Sequence, residues 1–214
     1  MFSRQGWVLS LLSAAVLATG MATGTWGVAD ARAEGDVERG EALAYTCMGC
    51  HGIPGYRNAF PTFRVPKLGG QHEQALYLAL VEYAERRRSH ATMYAQAATF
   101  SDQDKRDIAA WFASRGEPRT EGRTGSGPRV ARGRDKSQVC AACHGETGIS
   151  PSPEWPSLAG QHEDYLLHSL RQYQTGERQN AVMAGQVQNL DDDDLRDLAA
   201  FYAAQRGLFT TRPD

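Results

Sequence analysis

Two five-residue segments contain all four cysteines of the chain. Residues 47–51 read Cys-Met-Gly-Cys-His, and residues 140–144 read Cys-Ala-Ala-Cys-His. In a C-x-x-C-H segment the two thiols form thioethers to a c-type haem, and the imidazole supplies one axial ligand to the iron. On a helix, positions i, i+3 and i+4 share one face, so the three side chains can meet one edge of a flat macrocycle. The segments predict two covalently bound haem c groups, one held by Cys47, Cys50 and His51 and the other by Cys140, Cys143 and His144.

Three other kinds of site use paired cysteines. A thioredoxin-like redox pair is expected beside a βαβ unit, and the sequence contains no such pattern. A structural zinc ion needs four protein ligands at each site. Disulfides are the third alternative. Because two copies of C-x-x-C-H together use every cysteine, we favour haem attachment over these alternatives.

The N-terminal segment indicates export from the cytoplasm. Arg4 precedes an apolar run from Trp7 to Leu17, and small residues at 29–33 offer a cleavage site, so residues 1–33 resemble a secretory signal peptide. We therefore predict a periplasmic protein. The alternative is an uncleaved segment that anchors the chain to a membrane. The formal net charge is −2, without a clustered basic stretch typical of nucleic-acid binding.

The chain repeats itself. The C-x-x-C-H segments lie 93 residues apart, whereas Pro-Lys-Leu-Gly-Gly-Gln-His at 66–72 matches Pro-Ser-Leu-Ala-Gly-Gln-His at 156–162 with an offset of 90. The first copy therefore has three additional residues in the loop after its haem motif. Arg88 and Arg178 keep the shorter offset, and this pair is a candidate for contact with a haem propionate. The repeat predicts a tandem duplication of one module.

Each module is predicted to be all-α. Apolar periodicity predicts helices at 36–50, at 71–87 and from Ser101 to just before Gly116, with Ser101 and Asp104 forming a capping box. The corresponding helices of the second copy pass through Cys140 and cover 162–175 and 192–205. No stretch alternates long enough to predict a strand. The predicted domains are residues 34–115 and 132–214, and the Gly- and Pro-rich residues 116–131 form the predicted linker.

The second axial ligand decides between an electron carrier and a site open to substrate. Met93 and Met183 repeat with the offset of 90, and each is predicted to lie in a non-helical stretch before the last helix of its module. Thioether ligation raises the reduction potential of a haem. The alternative is that these methionines only fill gaps in the core.

Histidines are the competing ligands. His72 and His162 also repeat, but they stand at predicted helix starts, where we expect a capping role, a position near a propionate, or no special role. His90 and His168 have no histidine counterpart in the other module, and His168 is predicted to be a helix surface residue. Bis-histidine ligation would therefore require the second histidine to come from a different position in each half.

Together these motifs resemble the cytochrome c4 family of periplasmic dihaem class I cytochromes. The resemblance covers nearly all of residues 36–208 and implies two tandem all-α cytochrome c domains, each wrapped round one haem. By position it implies axial pairs of His51 with Met93 and His144 with Met183. It also implies that the carbonyl groups of Pro66 and Pro156 accept the Nδ1 hydrogens of the axial histidines.

The resemblance further implies a function. Members of this family are not enzymes but pass single electrons from respiratory complexes or dehydrogenases to a terminal oxidase or another acceptor. One alternative is a cytochrome subunit of a larger dehydrogenase, such as a sulfide-oxidising flavocytochrome. Another is a small dihaem peroxidase-like enzyme, which would require one of the two irons to lack its second protein ligand.

Overall fold

The computed structural model describes residues 34–122 and 124–212, and the predicted signal peptide lies outside them. Within these ranges the chain forms nine α-helices and, in place of a sheet, three isolated bridges. The all-α prediction is confirmed. No described helix has the length and apolarity needed to cross a membrane. The helices are α1 (Val37–His51), α2 (Glu73–Ala84), α3 (Ala91–Ala97), α4 (Asp102–Ser114), α5 (Pro128–Lys136), α6 (Gln138–His144), α7 (Glu163–Thr175), α8 (Ala181–Val187) and α9 (Asp192–Ala204).

The first and last helices of each half cross at a glycine. A Cβ atom on Gly40 in α1 would overlap the carbonyl oxygen of Asp107 in α4, and one on Gly133 in α5 would overlap that of Asp197 in α9. Only glycine permits such a close approach of two backbones. The same crossing therefore recurs in both halves, in the order that the repeat predicts.

Apolar side chains of the long helices form the core of each half. In the N-terminal half, Ile108 and Phe112 are only 2% exposed and pack with residues of α1 and α2. In the C-terminal half, Phe201 and Tyr202 of α9 pack against Leu166 of α7. The capping box of Ser101 with Asp104 is confirmed.

Helices α2, α5 and α6 differ from the prediction in where they begin or end. Helix α2 covers only 73–84, because His72 is extended and Arg86 adopts a positive φ of 60°. Helix α5 begins at Pro128, inside the predicted linker, since proline is well suited to the first helical position. The predicted helix through Cys140 is divided at Ser137, whose hydroxyl donates to the Arg134 carbonyl oxygen at 2.8 Å. Such a bond competes with helical backbone bonds and bends the chain.

Candidate functional site

The two haem motifs lie at equivalent helix ends. Residues 47–51 form the last turns of α1, and residues 140–144 form those of α6. His51 and His144 are 8% and 6% exposed, and none of the four cysteines is in a disulfide. Burial raises the pKa of the Cys47 thiol and of the Cys140 thiol. Each motif thus presents two thiols and one buried imidazole on a single helix end.

Backbone carbonyl groups hold both imidazoles. The Nδ1 atom of His51 lies 2.9 Å from the Pro66 carbonyl oxygen, and that of His144 lies 2.8 Å from the Pro156 carbonyl oxygen. Burial lowers the pKa of both histidines, and these hydrogen bonds partly oppose the shift. A neutral ring that donates from Nδ1 leaves Nε2 as an acceptor, which is the form that binds a metal.

The two repeated methionines lie in helices, so the prediction of non-helical stretches was wrong. Met93 is the third residue of α3, and Met183 is the third residue of α8. Each helix begins with a side-chain cap, since the Met93 N–H donates to His90 Nδ1 at 3.2 Å and the Met183 N–H donates to Asn180 Oδ1 at 3.0 Å. The unmatched His90 thus has a structural counterpart in Asn180, because both side chains can accept a bond at a helix N-cap.

A cavity of about 520 Å³ connects these groups across the two halves. Its lining is mainly apolar and includes both haem motifs together with Met93 and Met183. It also includes Arg178, which is 8% exposed and whose Nε has no hydrogen-bond partner among the described residues. A buried cation with an unused donor suits a carboxylate. The residues present therefore fit a haem, which combines a flat apolar ring with two propionates.

The remaining histidines have structural surroundings that the sequence did not predict. His72 and His162 occupy N-cap positions, but their side chains do not cap the helices. The His72 Nε2 atom instead lies 3.0 Å from the Ser150 carbonyl oxygen in the other half. His168 is half-buried and stacks on Phe63 with ring centroids 4.5 Å apart, so its assignment as a surface residue was wrong.

An arginine and tyrosine cluster joins the two halves, and sequence reasoning missed it. The backbones of Arg88 and Arg178 form an antiparallel bridge. Tyr83 and Tyr165 line the same small interdomain space as these arginines. Burial raises the pKa of Tyr83 to about 12, so its hydroxyl stays neutral. The sequence signals for this cluster were the repeats of Arg88 as Arg178 and of Tyr83 as Tyr173 at the offset of 90.

Comparisons with known proteins agree with this architecture. The family model described as Cytochrome c matches residues 37–115 and 130–203. A cytochrome c4 from Pseudomonas aeruginosa is 47% identical over 77 residues, which are 36% of this chain and 38% of that protein. A thiosulfate dehydrogenase electron acceptor from Stutzerimonas stutzeri is 30% identical over 172 residues, covering 75% of this chain and 79% of that protein.

A solved structure extends the comparison to both halves. The crystal structure of reduced recombinant cytochrome c4 from Pseudomonas stutzeri has a TM-score of 0.66 at 27% identity, covering 80% of this chain and 99% of that chain. In sequence, the chain spans 38% to 46% of the length of the curated cytochromes c4 that it matches. With both C-x-x-C-H motifs present on this fold, the chain belongs to the cytochrome c family, among the dihaem cytochromes c4, and carries two covalently bound haem c groups.

Proposed function

We propose that this chain is a one-electron carrier in which both haem irons have two protein ligands. The assigned pairs are His51 with Met93 and His144 with Met183. The observation that carries the proposal is the lining of the cavity, in which each half contributes one buried imidazole and one thioether. With both axial positions filled, no coordination position is left for a substrate. We therefore do not assign an enzymatic activity to the chain.

Bound haem supplies the ferric and ferrous couple, and the protein sets the conditions for it. Thioether ligation favours the ferrous state and so raises the reduction potential. The carbonyl groups of Pro66 and Pro156 orient the imidazoles, and the apolar lining restricts the access of water. Because the ligands stay in place during electron transfer, little reorganisation is needed in either direction.

The proposed setting is the periplasm, with redox proteins on both sides of the electron transfer. A respiratory complex or a dehydrogenase would be the donor, and a terminal oxidase the acceptor. The N-terminal sequence supports export, and haem attachment to thiols outside the cytoplasm agrees with it. The domain boundaries at 34–115 and 132–214 remain part of this proposal, with the second domain extended to include the start of α5 at Pro128.

The ligand assignment is tested by the weak absorption band that methionine sulfur gives with ferric haem iron in the far red. Met93→Ala and Met183→Ala are each expected to remove about half of the band, since each haem contributes one sulfur ligand. Met48→Ala is the matched control, because Met48 lies inside the first haem motif and does not line the cavity. An unchanged band in either ligand variant would contradict the assignment at that haem.

A second candidate donor is favoured by one comparison. The relative from Stutzerimonas stutzeri that covers 75% of this chain is described as a thiosulfate dehydrogenase electron acceptor. We propose a thiosulfate-oxidising dehydrogenase as one physiological donor. Stopped-flow mixing with such an enzyme and thiosulfate should reduce both haems within the enzyme's turnover time. Reduction only at the rate seen without enzyme would remove this candidate and leave the carrier function intact.

A further inference from the structure

Two glutamines exchange hydrogen bonds between the halves of the molecule. Gln161 Oε1 accepts the Lys67 N–H at 3.0 Å, and Gln161 Nε2 donates to the Lys67 carbonyl oxygen at 3.0 Å. In the reverse direction, Gln71 Oε1 accepts the Ser157 N–H at 2.9 Å and Gln71 Nε2 donates to the Ser157 carbonyl oxygen at 2.9 Å. Each side-chain amide therefore makes two hydrogen bonds to the backbone of the opposite half. We call these two contacts the glutamine clamps.

The clamped N–H groups belong to the peptides that hold the axial histidines. The Lys67 N–H and the Pro66 carbonyl are the two polar ends of one peptide unit, and that carbonyl accepts from His51 at 2.9 Å. The same relation joins Ser157 to the Pro156 carbonyl, which accepts from His144 at 2.8 Å. A continuous chain of hydrogen bonds thus runs from each imidazole through one peptide to the glutamine of the other half.

Hydrogen bonds in such a chain strengthen one another. A peptide whose N–H donates to an acceptor becomes more polar and offers a better carbonyl acceptor, by roughly 10–30% per bond. A stronger bond at Nδ1 gives the imidazole more anionic character and makes it a better donor to iron. This change stabilises the ferric state and lowers the reduction potential.

We propose that Gln71 and Gln161 are crossed positioning residues, each tuning the haem that is bound by the other half. Gln161 acts on the haem of His51, and Gln71 acts on the haem of His144. The inference rests on the proposed electron-carrier function. Burial supports it, because one partner of each clamp is buried: Gln161 is 6% exposed and Ser157 is 2% exposed. Both glutamines also line the cavity that joins the two sites.

The test measures each haem separately in the holoprotein. Gln161→Leu and Gln71→Leu remove one clamp each, and a redox titration followed by NMR assigns each potential from the shifted methyl signals of Met93 and Met183. In Gln161→Leu we expect the ferric-to-ferrous ratio of the His51 haem to fall about 1.5-fold at fixed potential, with a smaller change at the other haem. In Gln71→Leu we expect the same fall at the His144 haem, with a smaller change at the His51 haem.

Gln172→Leu is the matched control for loss of an interdomain glutamine. Its Nε2 donates to the Ser89 carbonyl oxygen of the other half at 3.1 Å, away from the proline peptides. This variant should not shift the reduction potential of the haem that is bound by the opposite half. The proposal is overturned if Gln161→Leu and Gln71→Leu leave both potentials unchanged, shift both haems equally, or act mainly on the haem of their own half.

A measurement on the wild type keeps the test informative if a variant does not fold. The Lys67 and Ser157 amides should exchange slowly with solvent, together with the Nδ1 hydrogens of the axial histidines. Fast exchange of both amides would show that the glutamine clamps are absent in solution, and the proposal would be overturned. Failure of the proposed carrier function would give a different result from failure of the clamps. In that case the wild type would lack the shifted methionine signals or would not be reduced reversibly.

Discussion

The ion pair between α5 and α9 allows a quantitative test of how the C-terminal half is held together. The Asp197 carboxylate is 1% exposed and accepts bonds from Arg132 Nε, Arg132 Nη2 and Lys136 Nζ, each at 2.8 Å. The fork of two bonds from one guanidinium is the strong geometry for such a pair. Asp197→Asn keeps the shape of the side chain but removes its charge.

The shifted pKa sets the expected magnitude. Hydrogen bonding to Arg132 lowers the pKa of Asp197 from 3.8 to about 2. At about 1.36 kcal/mol per pKa unit, this shift corresponds to roughly 2.4 kcal/mol of folding free energy. Because the Arg132 and Lys136 side chains are 57% and 32% exposed, solvent screens the pair. We therefore expect about 1–2 kcal/mol.

The sign of the pH dependence follows from the lowered pKa. The stabilisation is fully present above the unfolded-state pKa of 3.8 and is lost as the pH falls through the folded-state pKa of about 2. Urea unfolding of wild type and Asp197→Asn should therefore differ by about 1–2 kcal/mol at neutral pH, and this gap should close between these two pKa values. Glu146→Gln, which removes an exposed carboxylate of the same half outside α5 and α9, is the control. A gap that is absent at neutral pH, or that persists unchanged under acid conditions, would refute the reasoning.

Two further variants test local features of the fold. Gly133→Ala should lower the free energy of unfolding in urea by about 1–3 kcal/mol because its Cβ overlaps the Asp197 backbone, whereas Gly185→Ala, with open space around its Cβ, should not destabilise the protein. Asn180→Ala removes the cap of α8, at a cost of about 1 kcal/mol. Added imidazole should then displace Met183 about fivefold more readily in an absorption titration, and Asn180→His, which supplies the cap found at His90, should restore the wild-type value.

The local chemistry of the haem sites could be predicted because it depends on short spacings. Cys47, Cys50 and His51 fall on one helical face in any helix that contains them, so the motif already specified the edge that a haem would meet. The repeat also predicted equivalent helices in the two halves. By contrast, α3 and α8 are seven residues long. Two turns are too short for a periodic apolar pattern, and their existence depends on caps and packing.

Contacts between the halves could not be predicted from patterns within one module. His168 looked like a surface residue because its own helix offers it no partner, and its stacking partner Phe63 lies in the other half. The glutamine of each Pro-x-Leu-x-Gly-Gln segment repeats visibly. Its role depends on which backbone it reaches, and that backbone is 86 or 94 residues away.

The interface shows how a duplicated chain can repeat its contacts in both directions while its electrostatics differ between the halves. Reciprocal clamps and the bridge between Arg88 and Arg178 resemble an isologous dimer interface, in which each contact occurs twice. The two halves differ in the surroundings of one buried charged side chain, that of Arg178. Arg88 pairs with Glu82, whereas Gln172 takes the equivalent position in the second half and leaves Arg178 without a carboxylate partner there. Glu82 therefore pairs directly with the arginine of its own half and has no carboxylate counterpart in the other half. This difference gives the two haems unequal surroundings, although their assigned ligands are the same.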